Sequence, residues 1–324
     1  MKSRLPACCT VLLVTLLLCG CPHAPSDTES QEFSFGGRDR SYLIHVPEAV
    51  DGGQGVPLVL VLHGFAETAA AAARTTDFAS LADREGFIVA FPNAVRRTWH
   101  YHSEASTPGY LRNVDDVAFL AALIERIKSQ HPVDPRRIYI AGFSNGGFMA
   151  QRFACERADL VAAVAAVGAS MAQDNAEACA PANPIPVVLV AGLEDPIIPW
   201  AGGDVQMGPG RRVSLLSIEA TARKWAAVNG CSAEPTVVEL PNVDPNDGTR
   251  VERREFGACT GTSSVVLYAV EGGGHAWPGS PHPYPEWIVG RTSKDINGPQ
   301  TVWDFFEVHS KPAVVMAGRG KVAP

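Results

Sequence analysis

The chain has 324 residues, 46 % hydrophobic and 19 % charged. That is ample for a buried core and rules out a disordered or fibrous polymer. Lys and Arg number 27 against 34 Asp and Glu, a formal net charge of −7. With no basic block, there is no footprint for nucleic acid or an anionic lipid surface, and the expected partner is a small or neutral molecule.

Residues 1–20 read as an address rather than as structure. Lys2 and Arg4 form a positive start, and Val11 to Leu18 form an apolar run too short to span a bilayer. The run ends in Leu18-Cys19-Gly20-Cys21, which resembles a bacterial lipobox, with Cys21 as the lipidated mature N-terminus. Parity of the eight cysteines supports this. Cleavage before Cys21 and lipidation of its thiol leave Cys155, Cys179, Cys231 and Cys259, an even set for an oxidising compartment. The chain is therefore expected to be exported and held to the cell envelope by that lipid alone; plain secretion is the alternative. Residues 21–30, polar and Pro-bearing, read as a tether that could reach roughly 30 Å when extended.

From residue 31 onward one domain is expected, without repeat or linker. Strand and helix patterns alternate, the signature of a mostly parallel α/β sheet flanked by helices. Residues 41–47 alternate as a strand; 57–62, 87–92, 137–141 and 186–191 are continuous apolar runs suited to strands buried on both faces. Between them, 114–130 is the clearest helix, with Val117, Leu120, Ala121, Ile124 and Ile127 on one face behind Asp115 and Asp116. Residues 217–229 read as a helix, 263–270 as a strand and 301–308 as a closing helix.

Gly142-Phe143-Ser144-Asn145-Gly146 follows a buried strand and opens a helical pattern. This is the setting of a nucleophile elbow, in which a tight turn lifts the serine Oγ above the sheet and glycines two residues to either side avoid a Cβ clash. A serine nucleophile needs a base, and the base needs an orienting acid. In α/β-hydrolases the chain order is Ser, acid, His. Of the late histidines, His309 sits at the end of the closing helix and reads as solvated. His282 lies between two prolines. His275 follows strand 263–270 in a glycine loop and is the expected base, with His282 second. Asp195, after strand 186–191, is the expected acid and Glu194 its rival; Asp115 and Asp116 read as structural helix-start charges. The oxyanion donors should be the amides of Asn145 and Phe65, with His63 shaping the Phe65 loop.

Taken together, His63-Gly64-Phe65, Asp115-Asp116-Val117, Gly142 to Gly147, Glu194 to Pro199, Gly273 to Gly279 and Trp303-Asp304-Phe305-Phe306 resemble the poly(3-hydroxybutyrate) depolymerase and feruloyl esterase family of α/β-hydrolases. The resemblance spans nearly all the mature domain. It implies a serine esterase with Ser144, Asp195 and His275 as the triad, acting on hydroxybutyrate-type oligomers, feruloyl or acetyl esters of plant polysaccharide, or short-chain esters. A serine peptidase of the same fold and a non-catalytic binding lipoprotein are the alternatives. Two departures bear on substrate choice: Glu67 where the family often has glutamine, and Glu194 where it usually has a small residue.

Four cysteines allow three pairings. The sequential one, Cys155–Cys179 and Cys231–Cys259, closes the shortest loops and matches the family's habit. No zinc spacing and no dinucleotide or phosphate loop appears, so no metal or cofactor is expected. Trp99, Trp200 and Trp277 each follow a predicted strand and are candidates to line an acyl pocket. His100 and His102 flank Tyr101 and read as loop surface rather than metal ligands.

Overall fold

The computed structural model describes residues 28–50, 53–101, 109–206 and 212–312. The leader, Cys21 and His102 lie outside them. The chain opens with β1 (Glu29–Phe35), β2 (Arg38–His45) and β3 (Val56–Leu62), then α1 (Ala69–Thr76), α2 (Phe78–Glu85) and β4 (Ile88–Pro92). It continues through α3 (Asp116–Gln130), β5 (Val133–Phe143), α4 (Asn145–Arg157), β6 (Ala163–Val167), α5 (Gln173–Ala178) and β7 (Val187–Gly192). A small hairpin, β8 (Gly203–Gln206) and β9 (Arg212–Leu215), precedes α6 (Ile218–Val228), β10 (Thr236–Glu239), β11 (Arg250–Phe256) and β12 (Val265–Glu271). Helices α7 (Glu286–Val289) and α8 (Gly298–Glu307) follow.

Ten strands form one sheet in the order β1-β2-β4-β3-β5-β6-β7-β12-β11-β10. The six central strands, β4 to β12 in that order, pair in parallel, and the strands at either edge pair antiparallel. The apolar runs read from the sequence are these central strands, buried on both faces. Alternation along β3 feeds two cores. Leu58, Leu60 and Leu62 meet Leu120, Phe148, Phe153 and Trp225 from α3, α4 and α6. Val59 and Val61 meet Phe78, Leu81, Val302 and Phe306 from α1's neighbour α2 and from α8. Tyr139 belongs to the second core, its ring stacked 4.8 Å from Phe306 and its hydroxyl donating to His309 O at 2.7 Å.

Three expectations are corrected here. Glu29 and Ser30, expected at the end of a tether over 21–30, instead pair with Ile44 and Leu43 in β1. His309 is buried rather than solvated, with Nδ1 donating to Phe305 O at 2.6 Å and Nε2 against Ser264 Oγ at 3.1 Å. Asp115 does cap α3, accepting from the Ala118 amide at 2.9 Å. Asp116, however, is fully buried as the counter-ion of buried Arg40 at 2.8 Å, not simply a charge at the helix start.

Candidate active site

The parallel strands deliver Phe65, Ser144, Asp195 and His275 to loops at the C-terminal ends of β3, β5, β7 and β12. After β5 the chain turns sharply. Ser144 adopts φ 50° and ψ −116°, a left-handed conformation that a non-glycine residue keeps only when its surroundings hold it there. The two flanking glycines explain how. A Cβ on Gly142 would stand 2.1 Å from Gly146 O, and one on Gly146 would stand 2.3 Å from Leu62 O. The Ser144 amide donates to Val167 O at 2.8 Å and its carbonyl accepts from the Phe148 amide at 3.0 Å, tying the turn to β6 and starting α4.

After β7, Asp195 is buried by its own turn. Oδ1 accepts from the amides of Ile197 and Ile198, both at 2.7 Å, and Oδ2 lies 2.6 Å from His275 Nδ1. A carboxylate so placed fixes His275 as the tautomer with its proton on Nδ1, leaving Nε2 for chemistry. After β12 the histidine loop crosses the acid loop closely. Glu194 N–H donates to Gly273 O at 2.9 Å, and a Cβ on Gly192 would stand 2.2 Å from that same oxygen. The His275 amide donates to Val289 O at 2.5 Å, so the segment through α7 holds the loop from outside.

The imidazole lies over the elbow. The Phe143 ring is 4.8 Å from that of His275, and a Cβ on Gly168, next to Val167, would stand 3.2 Å from His275 Nδ1. The structure therefore pairs His275 directly with Asp195 and sets the imidazole against Phe143, the residue before Ser144. The two rivals are elsewhere in chemistry: Glu194 is largely exposed and faces Arg291 at 3.6 Å, and His282 is an exposed loop residue.

The loop after β3 carries Phe65. His63 is buried and clamped at both ring nitrogens: Nδ1 lies 2.7 Å from Gly64 O, and Nε2 accepts from the Ala94 amide at 3.1 Å. A carbonyl can only accept, so Nδ1 carries the proton and the ring is neutral. Burial drives its pKa down to about 4. Glu67 accepts from the Gly64 amide at 2.7 Å and from the Tyr284 hydroxyl at 2.5 Å, and burial pushes its carboxyl above the usual range. Both of its oxygens are thus engaged within the protein.

Of the three tryptophans, Trp99 is corrected from pocket wall to core: it is fully buried and links the loops of the site. Its amide donates to Asn145 Oδ1 at 2.7 Å and its indole N–H to His63 O at 3.0 Å. Trp277 is buried yet lines a cleft with Phe143, Thr75 and Tyr284, while Trp200 is half-buried with Arg254 5.7 Å from its ring. His100 is likewise corrected from surface to interior, its amide donating to Asp116 Oδ2 at 2.8 Å and Nδ1 meeting Val114 O at 2.5 Å. Among the described residues no group of three or more His, Cys, Asp or Glu side chains could hold a metal ion. Nothing local in the sequence marks the Asp116–His100 and Asn145–Trp99–His63 links. They join residues 16 to 46 positions apart, and only the fold brings them together.

Both disulfides are closed, Cys155–Cys179 and Cys231–Cys259. The first ties the end of α4 to the segment before β7; the second ties the end of α6 to the approach to β12.

Comparison with known proteins bears on what such a site belongs to. The model of the family described as "Esterase PHB depolymerase" matches residues 40–220. The putative esterase NocK of Nocardia uniformis subsp. tsuyamanensis is 32 % identical over 293 residues, covering 88 % of this chain and 84 % of that one. Feruloyl esterase B of Piromyces equi is 30 % identical, covering 73 % of this chain and 42 % of that longer protein. Among solved structures, the acetyl xylan esterase from Aspergillus awamori superposes with a TM-score of 0.58 at 16 % identity, covering 86 % of this chain and 99 % of that one; this likeness is one of fold. The family match takes in most of β2, the His63 loop, the elbow and Asp195, and the relative from Nocardia aligns along most of both chains. On these grounds the chain belongs to the Esterase PHB depolymerase family.

Proposed function

We propose that this carboxylic ester hydrolase works through Ser144, His275 and Asp195. The observation that carries the reading is the 2.6 Å contact of His275 Nδ1 with Asp195 Oδ2, set beside a serine held at φ 50° on a glycine-flanked turn. Ser144 Oγ attacks the ester carbonyl carbon while His275 Nε2 takes its proton. The charge that grows on the carbonyl oxygen is met by the amides of Asn145 and Phe65, neither of which finds an acceptor among the described residues. Collapse of the intermediate breaks the bond to the alcohol, which leaves with the proton from His275. Water, deprotonated by the same nitrogen, then adds to the acyl-enzyme and releases the acid and the free serine. Asp195 orients the ring throughout and keeps its own proton count unchanged.

The proposed substrates are carboxylic esters on a small alcohol or on a polymer. Feruloyl and acetylxylan esterases among the relatives support including plant-polysaccharide esters in that set. The two disulfides suggest export. We carry forward as part of the same proposal a leader over 1–20, lipid attachment at Cys21, a tether that now ends before β1, and a single catalytic domain over the remainder.

The test is hydrolysis of a panel of hydroxybutyrate oligomers, methyl ferulate, acetylated xylan and a short p-nitrophenyl ester by the parent and by Ser144→Ala. The parent should turn over at least one ester, and the variant should lose about 10⁴-fold or more of that rate. Retention of most of the rate by a folded variant would remove the assignment.

A further inference from the structure

The peptide unit joining Gly64 to Phe65 carries one of the two amides assigned above to the oxyanion, so whatever fixes that unit fixes a donor. A peptide is planar and trans, and its N–H points opposite to its C=O. Gly64 O is held from two sides, by His63 Nδ1–H at 2.7 Å and by the Glu67 amide at 3.3 Å. The preceding amide, Gly64 N–H, donates to Glu67 Oε2 at 2.7 Å. Glu67 therefore grips Gly64 at both ends, with its side chain on the N–H and its backbone on the C=O. The Phe65 N–H, free of any acceptor among the described residues, is left aimed away from these bonds.

The other carboxylate oxygen reaches across to a different loop. Glu67 Oε1 accepts from the Tyr284 hydroxyl at 2.5 Å, over 217 positions of sequence. Tyr284 stands between His275 and α7, in the segment that lines the cleft with Phe143 and Trp277 and whose continuation, Val289, binds the His275 amide. Ser280 closes the same segment onto α1, its hydroxyl donating to Thr75 O at 2.7 Å. One carboxylate thus spans the loop that supplies an oxyanion donor and the loop that supplies the base.

We infer that Glu67, anchored by Tyr284, is a positioning residue that sets the Phe65 amide relative to His275, rather than a group that reads the substrate. This rests on the oxyanion role proposed for Phe65. A donor held off its line weakens the transition state more than the ground state, so the loss should fall on kcat and spare KM. Glutamine keeps both bonds: its carbonyl accepts from Gly64 N–H, and its NH2 donates to the Tyr284 oxygen.

The experiment uses the full chain and a p-nitrophenyl ester, with active sites titrated to completion by a fluorophosphonate so that misfolded enzyme is not counted. Glu67→Ala should lower kcat per titrated site by about tenfold or more, with KM within about threefold. Glu67→Gln should stay within about threefold of the parent in both. Tyr284→Phe, which removes only a hydroxyl from a partly exposed ring, should lower kcat by about threefold or more and so decides the matter if the alanine variant does not fold. A smaller fall in either Glu67→Ala or Tyr284→Phe would overturn the inference, as would Glu67→Gln behaving like Glu67→Ala. Failure of the parent itself to react with the fluorophosphonate would instead overturn the triad on which the inference rests.

Discussion

The His63 ring gives a prediction in which sign and size both follow from the structure. Its Nδ1–H is spent on Gly64 O and its Nε2 lone pair on the Ala94 amide, so a second proton would face an N–H donor inside the protein. Burial is the leading cause that lowers its pKa from 6.5 to about 4. Between those two values the unfolded chain binds a proton that the folded chain refuses. The contribution of His63 to stability is therefore complete above 6.5 and is lost as pH falls through that value towards about 4. At about 1.4 kcal/mol per pH unit, lowering the pH from about 7 to about 5 should cost about 2 kcal/mol through this residue alone. Burial also lowers the pKa of His131 and His309, so the parent's pH profile is a sum. The informative quantity is the difference between the parent and His63→Gln, in which those groups cancel. Urea unfolding at several pH values should show that difference shrinking by about 2 kcal/mol over this range. A difference that stays constant with pH would refute the neutral, doubly bonded ring.

Three further outcomes are expected. Asp195→Asn should lower kcat by about 10⁴-fold by disturbing the His275 tautomer, while Glu194→Gln, on an exposed side chain, should leave it within about threefold; steady-state kinetics that reversed this order would show the acid to be misassigned. Asp116→Ala should destabilise the fold by about 3–5 kcal/mol, because it strands buried Arg40 without its counter-ion; a shift below about 1 kcal/mol in denaturant unfolding would contradict that. The two bridges close sequence separations of 24 and 28 residues. Each should contribute about 3 kcal/mol, so reduction should lower Tm before it changes the rate of the surviving folded enzyme. Thiol counting on the denatured, unreduced protein should find Cys155, Cys179, Cys231 and Cys259 blocked, and free thiols at those positions would remove the argument for export.

The centre of the sheet was legible because parallel strands buried on both faces must be continuously apolar, as Pro57 to Leu62 and Pro186 to Ala191 are. The elbow was legible because glycine is the only residue that fits at Gly142 and Gly146. Chain order singled out Asp195 and His275 once the strands were placed, and their side chains meet at 2.6 Å. Other elements gave weaker signals. Strand β6 reads Ala163-Val164-Ala165-Ala166-Val167, short and alanine-rich, without a strand's usual bulk. Strand β11 reads as charged, yet its pairs Arg253–Glu255 and Arg254–Glu252 lie two residues apart, each on one side of an edge-region strand. The polar framework of the site was hidden for a different reason. Trp99, His100 and Asp116 bond to partners distant in sequence, so their residue types alone suggested a pocket wall, a surface loop and a helix-start charge.

The central claim is that one serine of this chain, Ser144, is activated by His275 against Asp195. Its most direct test is covalent labelling of the intact enzyme with a fluorophosphonate, followed by peptide mapping. A single phosphonyl adduct on the peptide carrying Gly142-Phe143-Ser144-Asn145-Gly146 is expected, absent from Ser144→Ala and strongly slowed in Asp195→Asn. An adduct on another serine, or undiminished labelling of a folded Ser144→Ala, would contradict the account.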